Sequence, residues 1–287
     1  MTNNSSLGKV YLVGAGPGAA DLITVRGAKL LEKADIVFHD ALVAPEMLAL
    51  CPQAILVPAG KRCGKLSSAQ HFINKRLVDA AKQYKIIVRL KGGDPMLFGR
   101  ADEEIGALKK MGIEVEVVPG ITAALAGAAS LQQSLTLRGV SRSVAFITLA
   151  QATQNSSESK AEIAQPISNP SADTLVYYMG RKDCVKIAQQ LIAQSVNHTG
   201  NTPVHILEAV STARERLWSS TLQALAAGKA DPWFDSSSPA LIMIGEALRT
   251  VDKNLKCNTT ENLDSLGCEI NDGLQNSHIL SYGARRA

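Results

Sequence analysis

Strand-like and helix-like segments alternate through residue 118, and this alternation constrains the fold more than any other feature. Short apolar, β-branched runs at 9–13, 35–39, 54–57, 85–90 and 114–118 read as strands. After the first of them, Ile23, Gly27, Leu30, Leu31 and Ala34 mark one helix face, with Asp21 as N-cap. Ser67-x-x-Gln70 is a capping-box pattern ahead of Ile73, Leu77 and Ala81, which recur at i+4. A third helix starts near Arg100, with Asp102, Glu103 and Glu104 in its first turn and Lys109 and Lys110 in its last. That charge order complements the helix macrodipole, and Gly112 is a natural stop. Strands that alternate with helices pair in parallel, because a parallel partner needs a crossover long enough to hold a helix. The pattern predicts an α/β domain with a largely parallel sheet.

At 287 residues the chain is longer than a typical single domain, and a second unit begins after Pro119-Gly120. Its expected strands are 143–148, 174–179, 203–207, 214–218 and 239–244, with helices near 122–131 and 183–194. The division predicted is an N-terminal α/β domain over 8–118 and a C-terminal α/β domain over 119–248. Within the second, 151–172 is polar and rich in Pro and Ser, and reads as a surface insertion. Residues 249–287 have little apolar periodicity and read as a disordered tail.

Four glycine-bearing stretches fall at carboxyl ends of predicted strands, where parallel α/β sheets bind ligands: Gly14-Ala-Gly-Pro-Gly18, Lys91-Gly-Gly-Asp-Pro95, Pro119-Gly-Ile-Thr122 and Tyr178-Met-Gly180. The first has the spacing of a dinucleotide turn through Gly14, Gly16 and Ala19, and Asp40 stands roughly where a ribose-binding acid belongs. A nicotinamide-binding oxidoreductase is therefore one reading. Pro17 argues against it, since proline removes one of the N–H donors that a pyrophosphate needs, and Asp21 adds negative charge nearby. A polar nucleoside without strong negative charge fits better. Asp94 is either an acceptor for ribose hydroxyls or a loop-capping aspartate.

These stretches resemble the tetrapyrrole methyltransferase family, which uses S-adenosylmethionine. The matching pieces are VYLVGAGPG (10–18), ADIVFHDALV (34–43), GKRCG (60–64), VRLKGGDPMLFGRADEE (88–104), VEVVPGITAA (115–124), LTLRG (135–139), LVYYMG (175–180) and SPALIMIGE (238–246). The resemblance implies two α/β domains with the cofactor in the cleft between them, commonly as a homodimer. It places Pro17, Gly92, Gly93, Asp94, Leu97, Thr122, Ala123, Met179 and Val210 at S-adenosylmethionine. The implied reaction moves two methyl groups onto carbons 2 and 7 of uroporphyrinogen III, giving precorrin-2 on the way to sirohaem and cobalamin; methylation of a later precorrin is the alternative. Asp40 matches the family's proton acceptor and Lys61 its proton donor. An octacarboxylate substrate also demands a basic lining. Candidates are Lys61, Arg62 and Lys65, then Arg89, Lys91 and Arg100, then Arg138 and Arg142. Arg89 and Lys91 share a face if their strand extends that far. His39, Ala41, Leu137, Gly139 and Val210 depart from the family pattern, and Val210 replaces a cofactor-contacting glycine.

Composition narrows the classes further. With 30 basic and 26 acidic residues the net charge is +4, which disfavours nucleic-acid partners. The scattered cysteines, five in number, suit neither a disulfide framework nor a zinc site and fit a reducing cytoplasm. No export signal or membrane-length apolar run is visible, so a soluble cytoplasmic protein is expected. His39, His71, His198, His205 and His278 lack metal-ligand spacing, and no metal is expected.

Overall fold

The computed structural model describes residues 7–59, 66–149 and 170–250. Its strands form two five-stranded sheets. The first holds β1 (Lys9–Gly14), β2 (Ile36–His39), β3 (Ile55–Pro58), β4 (Ile86–Lys91) and β5 (Val115–Val118) in the order β3-β2-β4-β1-β5, and every pair is parallel. The connecting helices are α1 (Val25–Leu31), α2 (Pro45–Leu48), α3 (Leu66–Ala81) and α4 (Ala101–Lys110).

The chain steps one way along this sheet from β1 to β2 to β3, then back the other way to β4 and β5. Crossovers of one hand that run in opposite directions must lie on opposite faces. The cores obey this. Val13, Val37, Val88 and Leu90 pack with Leu31 of α1 and Met47 of α2 on one face. Val10, Leu12, Phe38 and Ile87 pack with Leu77 of α3 and with Ala101 and Leu108 of α4 on the other. Adjacent strands β1 and β4 thus send their connections to different faces, which opens a crevice at their carboxyl ends.

The second sheet is mixed. It holds β6 (Val144–Thr148), β7 (Thr174–Tyr178), β8 (Pro203–Glu208), β9 (Arg216–Thr221) and β10 (Ala240–Gly245) in the order β6-β7-β10-β8-β9. The β6–β7 pair is parallel and the others are antiparallel. Helix α5 (Ala123–Leu131) covers one face, where Ala124 and Ala126 meet Val176, Leu207, Leu241 and Met243. Helices α6 (Cys184–Gln194) and α7 (Leu222–Ala226) cover the other, through Ile187, Leu191, Leu222 and Leu225. All these elements lie within the unit Met1–Arg249.

Several local expectations change. Thr24, not Asp21, caps α1: its Oγ1 accepts from Gly27 N at 3.1 Å, while Asp21 sits in a preceding 3-10 turn. Helix α3 already includes Ser67, so Ser67 does not precede it as a cap; Gln70 instead donates to Glu104 and Asn74. Strand β4 runs one residue further than expected, through Lys91. Residues 151–169 of the expected insertion and 251–287 of the expected tail lie outside the described residues. Among the described residues, no helix is long and apolar enough to cross a membrane.

Two histidines are built in as neutral rings. His205 is buried, with Nε2 2.8 Å from the Leu248 carbonyl oxygen and Nδ1 2.8 Å from Ser219 Oγ. His198 is buried too, between the Asp173 carbonyl oxygen and Ser195 Oγ. Burial lowers both from the ordinary 6.5. The unfolded chain therefore takes up protons first as pH falls, and stability present above 6.5 is lost below it. Denaturant unfolding between about pH 7 and about pH 5 is expected to show a steeper loss of stability in the parent protein than in a His198→Gln/His205→Gln variant.

Candidate functional site

Three strand-end turns of the first sheet touch through their backbones. A Cβ on Gly14 would lie 2.6 Å from Gly120 Cα and 2.7 Å from Gly93 O, so a side chain there has no room. Gly16 and Gly93, both at positive φ, exchange hydrogen bonds: Gly16 N donates to Gly93 O at 3.2 Å and Gly93 N to Gly16 O at 2.7 Å. Ala15 N donates to Lys91 O at 2.8 Å. Asp94 closes the group, with Oδ2 accepting from Gly120 N and Oδ1 from Met96 N, each at 2.8 Å. Of the two roles open to Asp94, loop capping is the one its hydrogen bonds display.

Loops of the second sheet reach the same place. Tyr178, at the end of β7, shares its hydroxyl with Thr122 Oγ1 at 2.6 Å and accepts from Ala124 N at 3.0 Å. Burial pushes its phenol up. The Phe98 ring stands edge-on to Tyr178 with centroids 5.2 Å apart. Ala19 N donates to Ser211 Oγ at 3.1 Å, which ties the Gly14–Gly18 turn to the loop after β8. Phe98, Arg100, Met179, Ala209 and Ser211 all adopt positive φ, a conformation that costs a non-glycine residue energy and that clusters at binding sites.

The predicted cofactor residues fall on these loops. Pro17 and Leu97 are half-buried, Thr122 is buried, Ala123 is half-buried and Met179 is exposed. Gly92 and Gly93 keep open faces: a Cβ on Gly93 would meet nothing nearer than Thr122 Cα at 4.0 Å, and one on Gly92 nothing nearer than Leu42 Cβ at 3.6 Å. Val210, which stands where the resemblance places a glycine, is not itself at positive φ. Its neighbours Ala209 and Ser211 take the positive φ values, and its own side chain is buried with Ala124, Leu207 and Leu248. Its carbonyl oxygen would lie 2.7 Å from a Cβ on Gly18, so the backbone of Val210, not its side chain, faces the first turn.

Arg89 and Lys91 depart from the expected substrate lining. They do share a face of β4, but it is the face covered by α3 and α4, and both are 3% exposed. Fully buried Glu104 receives Arg89 Nε on Oε1 and Lys91 Nζ on Oε2, each at 3.1 Å, and Gln70 Nε2 on Oε1 at 3.2 Å. Arg89 Nη1 donates to Leu90 O at 3.1 Å, and Nη2 reaches Asp40 Oδ1. Burial opposes the Arg89 charge, but Asp40 and Glu104 outweigh it and hold the guanidinium above its ordinary value. Burial, reinforced by Arg89, lowers Lys91 despite Glu104. Asp40 lies just past β2, its side chain 31% exposed, and the loop it opens reaches Gly92 through Leu42. Arg100 is exposed and forked onto Glu103 at 2.6 and 2.7 Å, and Arg138 is exposed. Lys61, Arg62 and Lys65 lie outside the described residues.

The chain matches the family model of Tetrapyrrole (Corrin/Porphyrin) Methylases over residues 9–226. It belongs to that family. Among curated relatives, it is 42% identical over 246 residues to a uroporphyrinogen-III C-methyltransferase of Pseudomonas aeruginosa, covering 85% of this chain and 96% of the other. It is 41% identical over 249 residues to a sirohaem synthase of Stutzerimonas stutzeri, covering 86% of this chain and 52% of that protein. The chain thus spans about half the length of the sirohaem synthases it matches. A solved uroporphyrin-III C-methyltransferase of Thermus thermophilus, complexed with S-adenyl homocysteine, superposes with a TM-score of 0.69 at 35% identity, covering 84% of this chain and 94% of that one.

In this tetrapyrrole methylase the glycine contact and the buried ions make separate demands. Gly120→Ala places a methyl group against the Gly14 backbone, and unfolding in denaturant is expected to show a loss of roughly 1–3 kcal/mol. Glu104→Ala strands two buried cations, and the same measurement is expected to show a larger loss, about 3–5 kcal/mol.

Proposed function

We propose that this chain transfers methyl groups from S-adenosylmethionine to carbons 2 and 7 of uroporphyrinogen III, releasing precorrin-2 and S-adenosylhomocysteine. One observation carries the reading. Glycine turns ending β1, β4 and β5 meet backbone to backbone beside two glycines with open faces, in a chain that matches a homocysteine-nucleoside complex of this family along most of its length. Gly92, Gly93, Asp94 and Leu97 would hold the donor from one turn, Thr122 and Ala123 from the next, and Pro17, Met179 and the Val210 backbone from the remaining loops.

The donor's sulfonium supplies a methyl group already activated for transfer, its bonding electrons staying on sulfur as the ring carbon bonds to the methyl. What the protein adds is placement, which converts an encounter into an in-line attack. It must also accept a proton as the methylated ring recovers neutrality. Asp40 suits that role, because Arg89 holds Oδ1 while Oδ2 has no hydrogen-bond partner among the described residues. Lys61 is assigned the complementary proton donor. Arg100, Arg138 and Arg62 are assigned to substrate carboxylates, where a planar guanidinium can take both oxygens. The working assembly is a cytoplasmic homodimer, as is common in the family, and its subunits divide into domains at 8–118 and 119–248, a division supported by each stretch carrying its own sheet and its own cores.

A nicotinamide oxidoreductase fits the first turn poorly. Pro17 has no N–H, and the Ala15, Gly16 and Ala19 amides already donate within the protein, so few donors face a pyrophosphate. Anaerobic incubation with uroporphyrinogen III and isotope-labelled S-adenosylmethionine, read by mass spectrometry, tests the assignment. Two labelled methyls per product are expected; an unmodified macrocycle with folded protein refutes it, and turnover of a later precorrin alone moves the substrate along the series. Asp40→Asn is expected to lower kcat by roughly a hundredfold or more.

A further inference from the structure

The buried ions behind Asp40 have a surplus that packing does not explain. An apolar strand face between two helices needs no charge, yet this one holds Arg89, Lys91 and Glu104, and a buried ion network is weak evidence for stability. Among the described residues, Arg89 carries the network's only contact with a partly exposed carboxylate, that of Asp40, while Gln70 links Glu104 sideways to Asn74.

The geometry of the guanidinium makes the orientation specific. Its five donors lie in one plane, so fixing Nε fixes the direction of Nη2. Glu104 Oε1 fixes Nε at 3.1 Å, and the Leu90 carbonyl fixes Nη1 at 3.1 Å. Glu104 in turn cannot swing, because Lys91 Nζ holds Oε2 and Gln70 Nε2 holds Oε1. We propose that Glu104 is a positioning residue for the reaction: from the interior it sets the plane of Arg89, which clamps Asp40 Oδ1 and leaves Oδ2, without a hydrogen-bond partner among the described residues, to take the proton. The proposal rests on the reading of Asp40 as proton acceptor. Lys91 supplies the countercharge that lets one carboxylate hold the assembly without net charge: two buried cations face Glu104 and Asp40.

Two variants separate this role from simple support of the fold. Glu104→Gln keeps the shape and removes the charge. Glu104→Gln/Lys91→Met removes both charges, leaves Arg89 and Asp40 as a balanced pair, and guards against a single variant that fails to fold. In the folded double variant, kcat is expected to fall roughly tenfold to a hundredfold, the cost of a small misplacement near the chemistry. KM for S-adenosylmethionine and the affinity for S-adenosylhomocysteine are expected to stay at parent values, which a general loosening of the fold would not spare. Restoring Lys91 and placing Asp at 104 shortens the reach to Arg89, so Glu104→Asp is expected to fall between parent and Gln. A folded double variant with parental kcat overturns the proposal, as does an equal loss of kcat and nucleoside affinity. Asp40→Asn, assayed alongside, identifies which idea failed: full turnover there removes Asp40 as proton acceptor, whereas its collapse together with an unaffected double variant removes Glu104 alone.

Discussion

The close approach of Gly14, Gly93 and Gly120 is the constraint from which the rest of the site follows. Each belongs to a turn at the carboxyl end of a different parallel strand, and a side chain on Gly14 or on Gly120 would strike the backbone of the other two. Because β1 and β4 are neighbours whose connections leave on opposite faces, the space beyond their ends is not filled by a crossing helix. Hydrogen bonds between Gly16 and Gly93 and from Gly120 N to Asp94 then weld the turns into one rim. That rim presents the open faces of Gly92 and Gly93, and the second sheet completes it through Tyr178 and Ser211.

Beneath the rim lies the opposite kind of material. Glycine turns gain closeness by having no side chains, while β4 immediately below carries two long cations and α4 a carboxylate in full burial. Removing such ions from water costs several kcal/mol each unless they are paired, and here the guanidinium, the ammonium and the carboxylate each have a partner of opposite charge. The arrangement links the interior to the cleft: the same strand that ends in the binding turn also holds Arg89, whose far nitrogen reaches Asp40.

Much of this was legible in the sequence. Apolar, β-branched runs locate the ten strands of the described residues to within a few residues, and the glycine stretches mark the rim. What escaped did so for identifiable reasons. A spacing of two places Arg89 and Lys91 on one face of a strand but does not say which helices cover it; that depends on the direction of the β3–β4 and β4–β5 connections. Glu104 sits in a first turn with Asp102 and Glu103 and so suits the helix dipole, yet it also falls on the stripe of Ala101 and Leu108, and an acid on an apolar stripe is the signal that marks it. Asp21 and Thr24 compete as caps three residues apart, and only the backbone shows which side chain meets the amide. Val210 stands where the resemblance places a glycine, and no pattern in the sequence says that Ala209 and Ser211 take the positive φ values on either side of it. The short α2 and α7 carry too few turns for periodicity to register.

Loops from both sheets converge where one methyl-donor nucleoside would bind. Calorimetric titration of the folded protein with S-adenosylhomocysteine, set against an identical titration with NAD, tests that binding most directly. Saturable binding of the thioether nucleoside and none of the dinucleotide is expected; saturable binding of NAD with no heat from S-adenosylhomocysteine would overturn the assignment of the site.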